Sequence, residues 1–222
     1  EQGALAVNDD AIYAHPAAEE ICKHPALVEA ASTLMGHIIE LQHAKFNAKP
    51  KRDTTGEGEV KWHQDFPYFP HTNYDLIACV IHLDDEDEGS GALEFIPGSH
   101  KEGERSHLSA NGDFAYYATE AVEDAKAELL LARRGWVSFH HCLTLHHSAP
   151  KTHDRDRRFL VLQYRATDAV QLAGPIWKCN GYKVDPREEP QQWARFPDGT
   201  RISLRGNNGR LYDLYSALKP NT

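Results

Sequence analysis

Four residues have the types and the order needed to hold a metal ion beside an organic acid. His63 and Asp65 stand two positions apart, His146 follows much later, and Arg157 comes soon after it. Two histidines and one carboxylate on one face of an ion leave three coordination positions open, as in non-haem Fe(II) oxygenases, whereas structural zinc sites are closed by four ligands. An arginine can bind a carboxylate through two parallel hydrogen bonds, which a lysine cannot. The order therefore predicts iron chemistry in which a 2-oxo acid and O2 take the open positions.

The spacing of His63 and Asp65 is weak evidence alone, because the chain has 14 histidines and 33 acidic residues. The same spacing recurs from His82 and from His100. On a strand, residues i and i+2 point to the same face, so His63 and Asp65 could bind one ion together. Aromatic residues flank this pair and could wall a dry pocket. His82 instead runs into the acidic segment 84–88, which is interpreted as a solvated turn at the solvent side, with a cation site as the alternative.

The segment 139–148 supplies the third ligand, and His146 is the preferred candidate. If residues 149–156 form the loop of an antiparallel hairpin, Ser148 faces Arg157 directly and His146 lies two residues along on the same face. The other histidines of the segment are predicted to be packed or surface residues: His140, His141 and His147.

Short elements must position these residues. Residues 16–24 and 25–36 each begin with a proline, and the second segment ends in a glycine, which predicts two short helices. Short apolar or alternating segments punctuated by glycine and proline follow, and they predict strands near 38–47, 75–83, 92–96, 127–132, 136–140 and 158–165. Residues 49–59 are predicted to be a mobile loop in front of His63. The fold class is therefore mainly β with N-terminal helices, in a double-sheet barrel or jelly roll.

Composition limits the functional classes. The chain has 222 residues, 41% of them apolar, which suits one domain with a sizeable core. Its formal charge of −9 disfavours binding to nucleic acid or to an anionic membrane surface. No apolar run approaches the roughly 18 to 20 residues that cross a bilayer, and no signal peptide is recognisable. Four scattered cysteines without a C-x-x-C pattern are typical of reduced thiols in a cytoplasmic protein. Nothing in the sequence indicates an oligomeric state.

Four motifs, in this order, resemble the phytanoyl-CoA dioxygenase family, which includes ectoine hydroxylase. They are Trp-His-Gln-Asp at 62–65, Pro-Gly-Ser-His at 97–100, Ser-Phe-His-His-x-Leu-Thr-Leu-His at 138–146 and Arg-Arg at 157–158. The resemblance covers about residues 41–166, over half of the chain. It implies a double-stranded β-helix (a cupin-like jelly roll) in one domain, residues 1–222. The domain would comprise a helical part at about 11–36, a β core at about 37–170 and a C-terminal extension at 171–222.

The resemblance also implies the roles of particular residues. It implies that Fe(II) is held by His63, Asp65 and His146. Further residues would contact organic ligands: Arg157 and Ser148 the distal carboxylate of 2-oxoglutarate, Asn47 the same co-substrate, and Phe69 the prime substrate. Relatives usually begin with another stretch of helix and strand, so either residues precede Glu1 or this member is shorter.

The implied activity is that of an Fe(II)- and 2-oxoglutarate-dependent dioxygenase. Such an enzyme hydroxylates or otherwise oxidises a C–H bond of a small molecule with O2, and releases succinate and CO2. Two alternatives stay open at this point. One is a metal-dependent cupin-like enzyme that uses no O2, and the other is a non-catalytic jelly-roll binding module. The prime substrate, and the choice between hydroxylation, desaturation and cyclisation, are open as well.

Overall fold

The helical part of the chain lies between its first two strands. The computed structural model describes residues 6–49, 58–187 and 193–204, with side chains from residue 10 onward. Strand β1 (Ala6–Asp9) precedes helices α1 (Ala11–Ala14), α2 (Pro16–Cys22) and α3 (Pro25–Met35). Gly36 ends α3 with φ 72° and donates its N–H to the carbonyl of Ser32 at 2.8 Å, a conformation that glycine adopts without strain. The two predicted helices are therefore confirmed.

The other regular elements are mostly strands. They are β2 (Ile39–Lys49), β3 (Val60–His63), β4 (Leu76–His82), β5 (Leu93–Phe95), β6 (Glu128–Leu129), β7 (Val137–His141), β8 (His146–Ser148), β9 (Arg157–Ala166), β10 (Tyr182–Lys183), β11 (Trp193–Arg195) and β12 (Arg201–Ser203). Strands β2, β4, β5, β6, β7 and β9 overlap the six predicted segments, whereas β1, β10, β11 and β12 were not predicted. None of the described helices is long and apolar enough to cross a membrane.

Two antiparallel sheets contain most of these strands. The larger sheet has the order β1-β2-β9-β4-β7, with β10 also pairing with β2, and the smaller sheet has the order β3-β8-β5-β6. Strands β11 and β12 pair separately. This mainly β architecture with N-terminal helices is the predicted jelly roll, and solved structures described below share it.

The two faces of the larger sheet differ in character. Alternate residues of β2, β4 and β9 pack against the helices in a cluster that includes Ile39, Leu41, Cys79 and Leu162. Each such side chain contributes about 1.5–3 kcal/mol when it is fully buried. The opposite face carries a smaller apolar cluster around Ala78, Val80, Phe159 and Val161, together with most of the polar side chains discussed below.

Several details of the predicted organisation need correction or stay untested. Strand β8 pairs with β3 and β5, whereas β9 pairs with β2 and β4, so residues 149–156 cross between sheets. The predicted hairpin, with Ser148 directly opposite Arg157, was therefore wrong. The predicted mobile loop at 49–59 falls largely on 50–57, outside the described residues. The single domain of residues 1–222, with its extension at 171–222, stays a prediction.

Candidate metal and co-substrate site

His63 and Asp65 reach each other through a turn, not along a strand. Strand β3 ends at His63, and Asp65 has φ −71° and ψ −36° at the start of a short 3-10 turn, Phe66–Tyr68. The argument from strand alternation was therefore wrong. Gln64 between them holds the turn in place, because its amide nitrogen donates to the carbonyls of Gly103 at 2.9 Å and Leu143 at 2.8 Å.

The structure nevertheless brings the three predicted ligands together. Asp65 Oδ1 lies 4.0 Å from His63 Nε2 and 3.8 Å from His146 Nε2. One ligand atom from each residue lies within 4.8 Å of the other two, which is the only such group of three or more metal-binding side chains among the described residues. That these residues bind a metal stays a prediction.

Backbone carbonyls fix which ring nitrogen of each histidine faces the cluster. His63 Nδ1 lies 2.8 Å from the carbonyl of Lys61, and His146 Nδ1 lies 2.9 Å from the carbonyl of Thr144. A carbonyl oxygen accepts hydrogen bonds, so each Nδ1 carries the proton and donates. Each Nε2 is left with a lone pair that points into the cluster. Metal-binding histidines are oriented in this way by a partner on the other nitrogen.

The charge states of the cluster also suit a cation. Burial lowers the pKa of His63 to about 4 and that of His146 well below its usual value, so both rings are neutral at pH 7. Burial alone would raise the pKa of Asp65. The hydrogen bond from His140 and the electrostatic interactions with the nearby His146, His140 and Lys45 side chains outweigh burial, and the pKa lies well below its usual value. Two neutral imidazoles and one carboxylate are thus available, which fits the donor set of a 2-His-1-carboxylate iron site.

At the other end of the interior, two buried cations lie side by side. Lys49 and Arg157 are directly opposite each other on β2 and β9, and each is 2% exposed. The carbonyl of Gly91 accepts from both, at 3.4 Å from Lys49 Nζ and 2.9 Å from Arg157 Nη2. Neither forms a salt bridge among the described residues, and Arg157 Nε lacks any hydrogen-bond partner there. Buried charges of this kind require an opposite charge, so the pair fits a carboxylate ligand.

Two of the other predicted co-substrate residues border these cations. Ser148 Oγ accepts a hydrogen bond from Lys49 Nζ at 2.8 Å, and the carbonyl of Ala149 accepts another at 2.5 Å. Asn47 lies two residues before Lys49 on β2, on the same face of the strand. Its buried Oδ1 has no hydrogen-bond partner among the described residues. Ser148, Arg157 and Asn47 thus surround one region, and their contact with 2-oxoglutarate stays a prediction.

Phe69 lies in a packed aromatic group. Its ring meets that of His43 edge-on at 5.2 Å and that of Trp177 at 5.8 Å, and only 3% of it is exposed. The imidazole of His43 stacks on Trp177 at 4.3 Å. The predicted contact of Phe69 with the prime substrate stays a prediction. Trp177 comes from the predicted C-terminal extension, and nothing in its local sequence marked it.

Sequence reasoning missed the role of two lysines and one histidine near the site. Lys49 was assigned only to a polar loop, although the family-like segment 46–50 contains it. Lys45 lies close enough to His63 and Asp65 to lower the pKa of each. His140 was predicted to be a packed or surface residue, but its Nε2 lies 3.3 Å from Asp65 Oδ2. Their positions depend on pairing between distant strands, which local patterns do not reveal.

The acidic segment 84–88 is less solvated than predicted. His82 is fully buried, with Nδ1 2.8 Å from Glu86 Oε2, and the Glu86 side chain is also inaccessible to solvent. Asp84 pairs with Arg158 and Asp87 with Arg155. The solvent-side setting of His82 was therefore wrong, because Glu86 folds back onto it.

The described fold is a jelly roll, and His63, Asp65 and His146 present the two imidazoles and one carboxylate of a 2-His-1-carboxylate donor set. The chain belongs to the phytanoyl-CoA dioxygenase (PhyH) family, whose model matches residues 3–159. The predicted family is confirmed.

Curated relatives agree with this assignment. The chain is 34% identical to a probable alpha-ketoglutarate-dependent hypophosphite dioxygenase of Stutzerimonas stutzeri, over 75% of this chain and 57% of that protein. It is 28% identical to L-proline trans-4-hydroxylase of Streptomyces griseoviridis, over 74% of this chain and 69% of that protein. It is 24% identical to human peroxisomal phytanoyl-CoA dioxygenase, over 66% of this chain and 45% of that protein. The chain thus spans between about half and two thirds of the length of these relatives.

Solved structures share the fold. The epimerase SnoN, in complex with Fe3+, alpha-ketoglutarate and nogalamycin RO, superposes with a TM-score of 0.67 at 20% identity, over 77% of this chain and 66% of that one. EvdO2 of Micromonospora carbonacea, complexed with 2-oxoglutarate, superposes with a TM-score of 0.61 at 22% identity, over 77% of this chain and 70% of that one.

Proposed function

We propose that this chain is an Fe(II)- and 2-oxoglutarate-dependent dioxygenase that oxidises a small molecule. The observation that supports it best is the pairing of two buried sites in one interior. One site offers two neutral imidazoles and a carboxylate. The other offers two buried cations that form no salt bridge among the described residues, although the more distant charge of Glu86 acts on both. An oxygen-independent metal enzyme accounts for the first site but not for the second, and a non-catalytic binding module accounts for neither.

His63, Asp65 and His146 would hold the iron, and Arg157 with Lys49 would hold the distal carboxylate of 2-oxoglutarate. Ser148 orients the ammonium of Lys49, since its hydroxyl accepts from Nζ at 2.8 Å. Iron with its bound co-substrate supplies the activation of O2, with release of succinate and CO2. The chain's own residues fix the positions of these groups and exclude water. Phe159, beneath the Arg157 guanidinium at 4.0 Å, keeps the cation between apolar and polar neighbours.

The prime substrate would be a small molecule with an anionic group. Lys45, partly buried on β2, lowers the pKa of His43, His63 and Asp65 and forms no salt bridge among the described residues. A cation beside the metal cluster favours a substrate that carries negative charge. The relative from Stutzerimonas is named for hypophosphite, a small oxyanion, which makes hypophosphite the first compound to test. Hydroxylation of a C–H bond in an acidic substrate such as proline is the second candidate.

Two further expectations, about location and domain organisation, belong to the same proposal. We propose that the enzyme is cytoplasmic, which is supported by four buried cysteines that form no disulfide. We also propose one catalytic domain for residues 1–222, with Trp177 of its C-terminal extension contributing to the substrate pocket through His43 and Phe69.

An anaerobic titration of the apoprotein with Fe(II) and 2-oxoglutarate tests the proposal. We expect the weak visible charge-transfer band of the iron chelate, followed by succinate release when O2 and hypophosphite are added. Iron binding without this band would contradict the dioxygenase and favour the oxygen-independent enzyme, which would turn over with zinc and without 2-oxoglutarate. Failure to bind Fe(II) would favour the binding module.

A further inference from the structure

His140 is the one histidine of the 139–148 segment that touches a predicted metal ligand without being one. Its Nε2 lies 3.3 Å from Asp65 Oδ2, although the two residues are 75 positions apart in the sequence. The oxygen that it contacts is not the one that faces the metal cluster. Asp65 Oδ1 is the atom near His63 Nε2 and His146 Nε2, at 4.0 Å and 3.8 Å.

Packing holds the His140 ring in this position. His140 lies on β7 opposite Ala78, whose small side chain leaves room on the interior face of the larger sheet. The ring is 4.5 Å from the ring of His146 and 5.2 Å from that of Phe95. The neighbouring Phe139 packs on the opposite face, against the helical core, as strand alternation requires.

The chemistry of the contact fixes its direction. An ionised carboxylate only accepts hydrogen bonds, so His140 Nε2 must carry the proton and donate it to Oδ2. This hydrogen bond anchors Oδ2 toward His140 and leaves Oδ1 directed toward His63 and His146. Rotation of the carboxylate to bring both oxygens onto an ion would stretch the hydrogen bond, so the contact favours binding through Oδ1 alone.

We infer that His140 is a positioning residue for the metal centre, which holds Asp65 by a hydrogen bond from Nε2 so that a single oxygen, Oδ1, faces the ion. The inference rests on the proposed function, because it takes His63, Asp65 and His146 as the ligands. Partners of this kind typically change metal affinity by about 10- to 100-fold when they are removed. Keeping Asp65 to one coordination position preserves three open positions, which a chelating co-substrate and O2 together need.

Three substitutions of His140 separate this role from simple packing. His140→Gln keeps an amide nitrogen near the position of Nε2, and it should retain the hydrogen bond to Asp65. His140→Asn places its amide near Nδ1 instead, and His140→Phe keeps a ring without any donor. His147→Phe is a matched control, because His147 Nε2 also lies 3.3 Å from a carboxylate, that of Glu94, but outside the cluster.

Co(II) binding, measured anaerobically without 2-oxoglutarate, gives a readout that does not depend on turnover. We expect His140→Phe and His140→Asn to lower the Co(II) affinity by about 10- to 100-fold and to change the intensity of the ligand-field bands. His140→Gln should restore most of the affinity and the wild-type bands, and His147→Phe should match wild type. Circular dichroism of each variant checks that the fold is intact.

Equal behaviour of the Gln and Asn variants would overturn the inference, and so would wild-type affinity and bands in His140→Phe. The proposed function can fail separately. A wild-type protein that binds Co(II) and shows the expected ranking of variants, yet never converts 2-oxoglutarate with Fe(II), would contradict the dioxygenase and leave the role of His140 standing. A wild-type protein that does not bind Co(II) would overturn both.

Discussion

The metal end and the co-substrate end of the interior suit ligands of opposite charge, and different parts of the fold form them. The metal end is built from short strands and a turn, and its histidines are neutral beside one carboxylate. The co-substrate end is built on two long paired strands, β2 and β9, which place Lys49 and Arg157 opposite each other. One end therefore attracts a cation and the other an anion.

The comparison shows how a ligand with both features can be selected. A 2-oxo acid with a second carboxylate offers a chelating group at one end and a negative charge at the other. The metal end needs free lone pairs, which are set by hydrogen bonds from Nδ1 to the carbonyls of Lys61 and Thr144. The co-substrate end needs charge, which burial opposes and which an incoming carboxylate stabilises. Each end can therefore be disabled without the other.

The largest effect is expected at the metal end. His146→Ala removes a direct ligand, so the affinity for Fe(II) should fall by more than the roughly 100-fold that outer hydrogen-bond partners cost. Succinate release should be lost with it. Anaerobic equilibrium dialysis with Fe(II) measures the first effect, and a succinate assay measures the second.

His147→Ala is the control for this substitution. The His147 ring lies 4.1 Å from that of Trp62, outside the cluster, and its carboxylate partner is Glu94. Its iron affinity and activity should stay at the wild-type level. Equal loss of iron in both variants would mean that the substitutions disturb β8 as a whole.

The second effect is expected at the co-substrate end. Arg157→Ala should leave iron binding unchanged and weaken the binding of 2-oxoglutarate by about 2–5 kcal/mol. This loss is the usual cost of truncating one side of a buried charge pair. That is roughly 30-fold or more in the apparent Kd. Titration of the iron–co-substrate band at fixed Fe(II) measures it.

Arg158→Ala is the matched control for Arg157. Arg158 points outward and pairs with Asp84 at 2.6 Å, with nearly half of its side chain exposed. An exposed ion pair contributes at most about 1 kcal/mol, so this variant should bind 2-oxoglutarate as the wild type does. Unchanged affinity in Arg157→Ala would remove Arg157 from the site and leave Lys49 as the main cation there.

The two ends also differ in how far the sequence could predict them. His63, Asp65 and His146 stand in short motifs, so their types and order could be interpreted without knowing the fold. The turn at Asp65 could not, because alternation is a property of strands and β3 ends at His63. The predicted hairpin failed because residues 149–156 join strands of different sheets.

Lys49 and His140 illustrate the contacts that local sequence patterns cannot predict. Lys49 becomes part of the anion site only because β2 pairs with β9 in one register, and a shift by one residue would turn it outward. His140 meets Asp65 across the gap between the two sheets. Helices α2 and α3 and six of the strands were predictable, since proline, glycine and alternating apolar residues act locally.

The smallest effect is a pH dependence confined to the co-substrate end. Burial, together with the nearby charge of Arg157, lowers the pKa of Lys49 to about 7. Above pH 7 the free enzyme therefore carries a neutral Lys49. A bound carboxylate favours the charged form and raises this pKa, so binding of 2-oxoglutarate takes up a proton.

We expect the Kd for 2-oxoglutarate to rise between pH 7 and pH 9, by at most about tenfold per unit. The pKa of His63, about 4, lies below this range, so the metal end should contribute no slope. Lys49→Met should weaken binding at pH 7 and flatten the dependence. Titrations with Co(II) in place of Fe(II) measure both.

A 2-oxo acid without a second carboxylate, 2-oxobutyrate, separates the two ends in the same experiment. It can chelate the metal but has no charge to offer Lys49, so its Kd should show no such slope in either protein. The stability of the free protein should change in the opposite sense to affinity. The unfolded chain binds a proton at Lys49 up to the ordinary value of 10.5, so the free energy of unfolding should rise with pH above 7. A slope shared by 2-oxobutyrate and 2-oxoglutarate would place the titrating group at the metal end and contradict the assignment to Lys49.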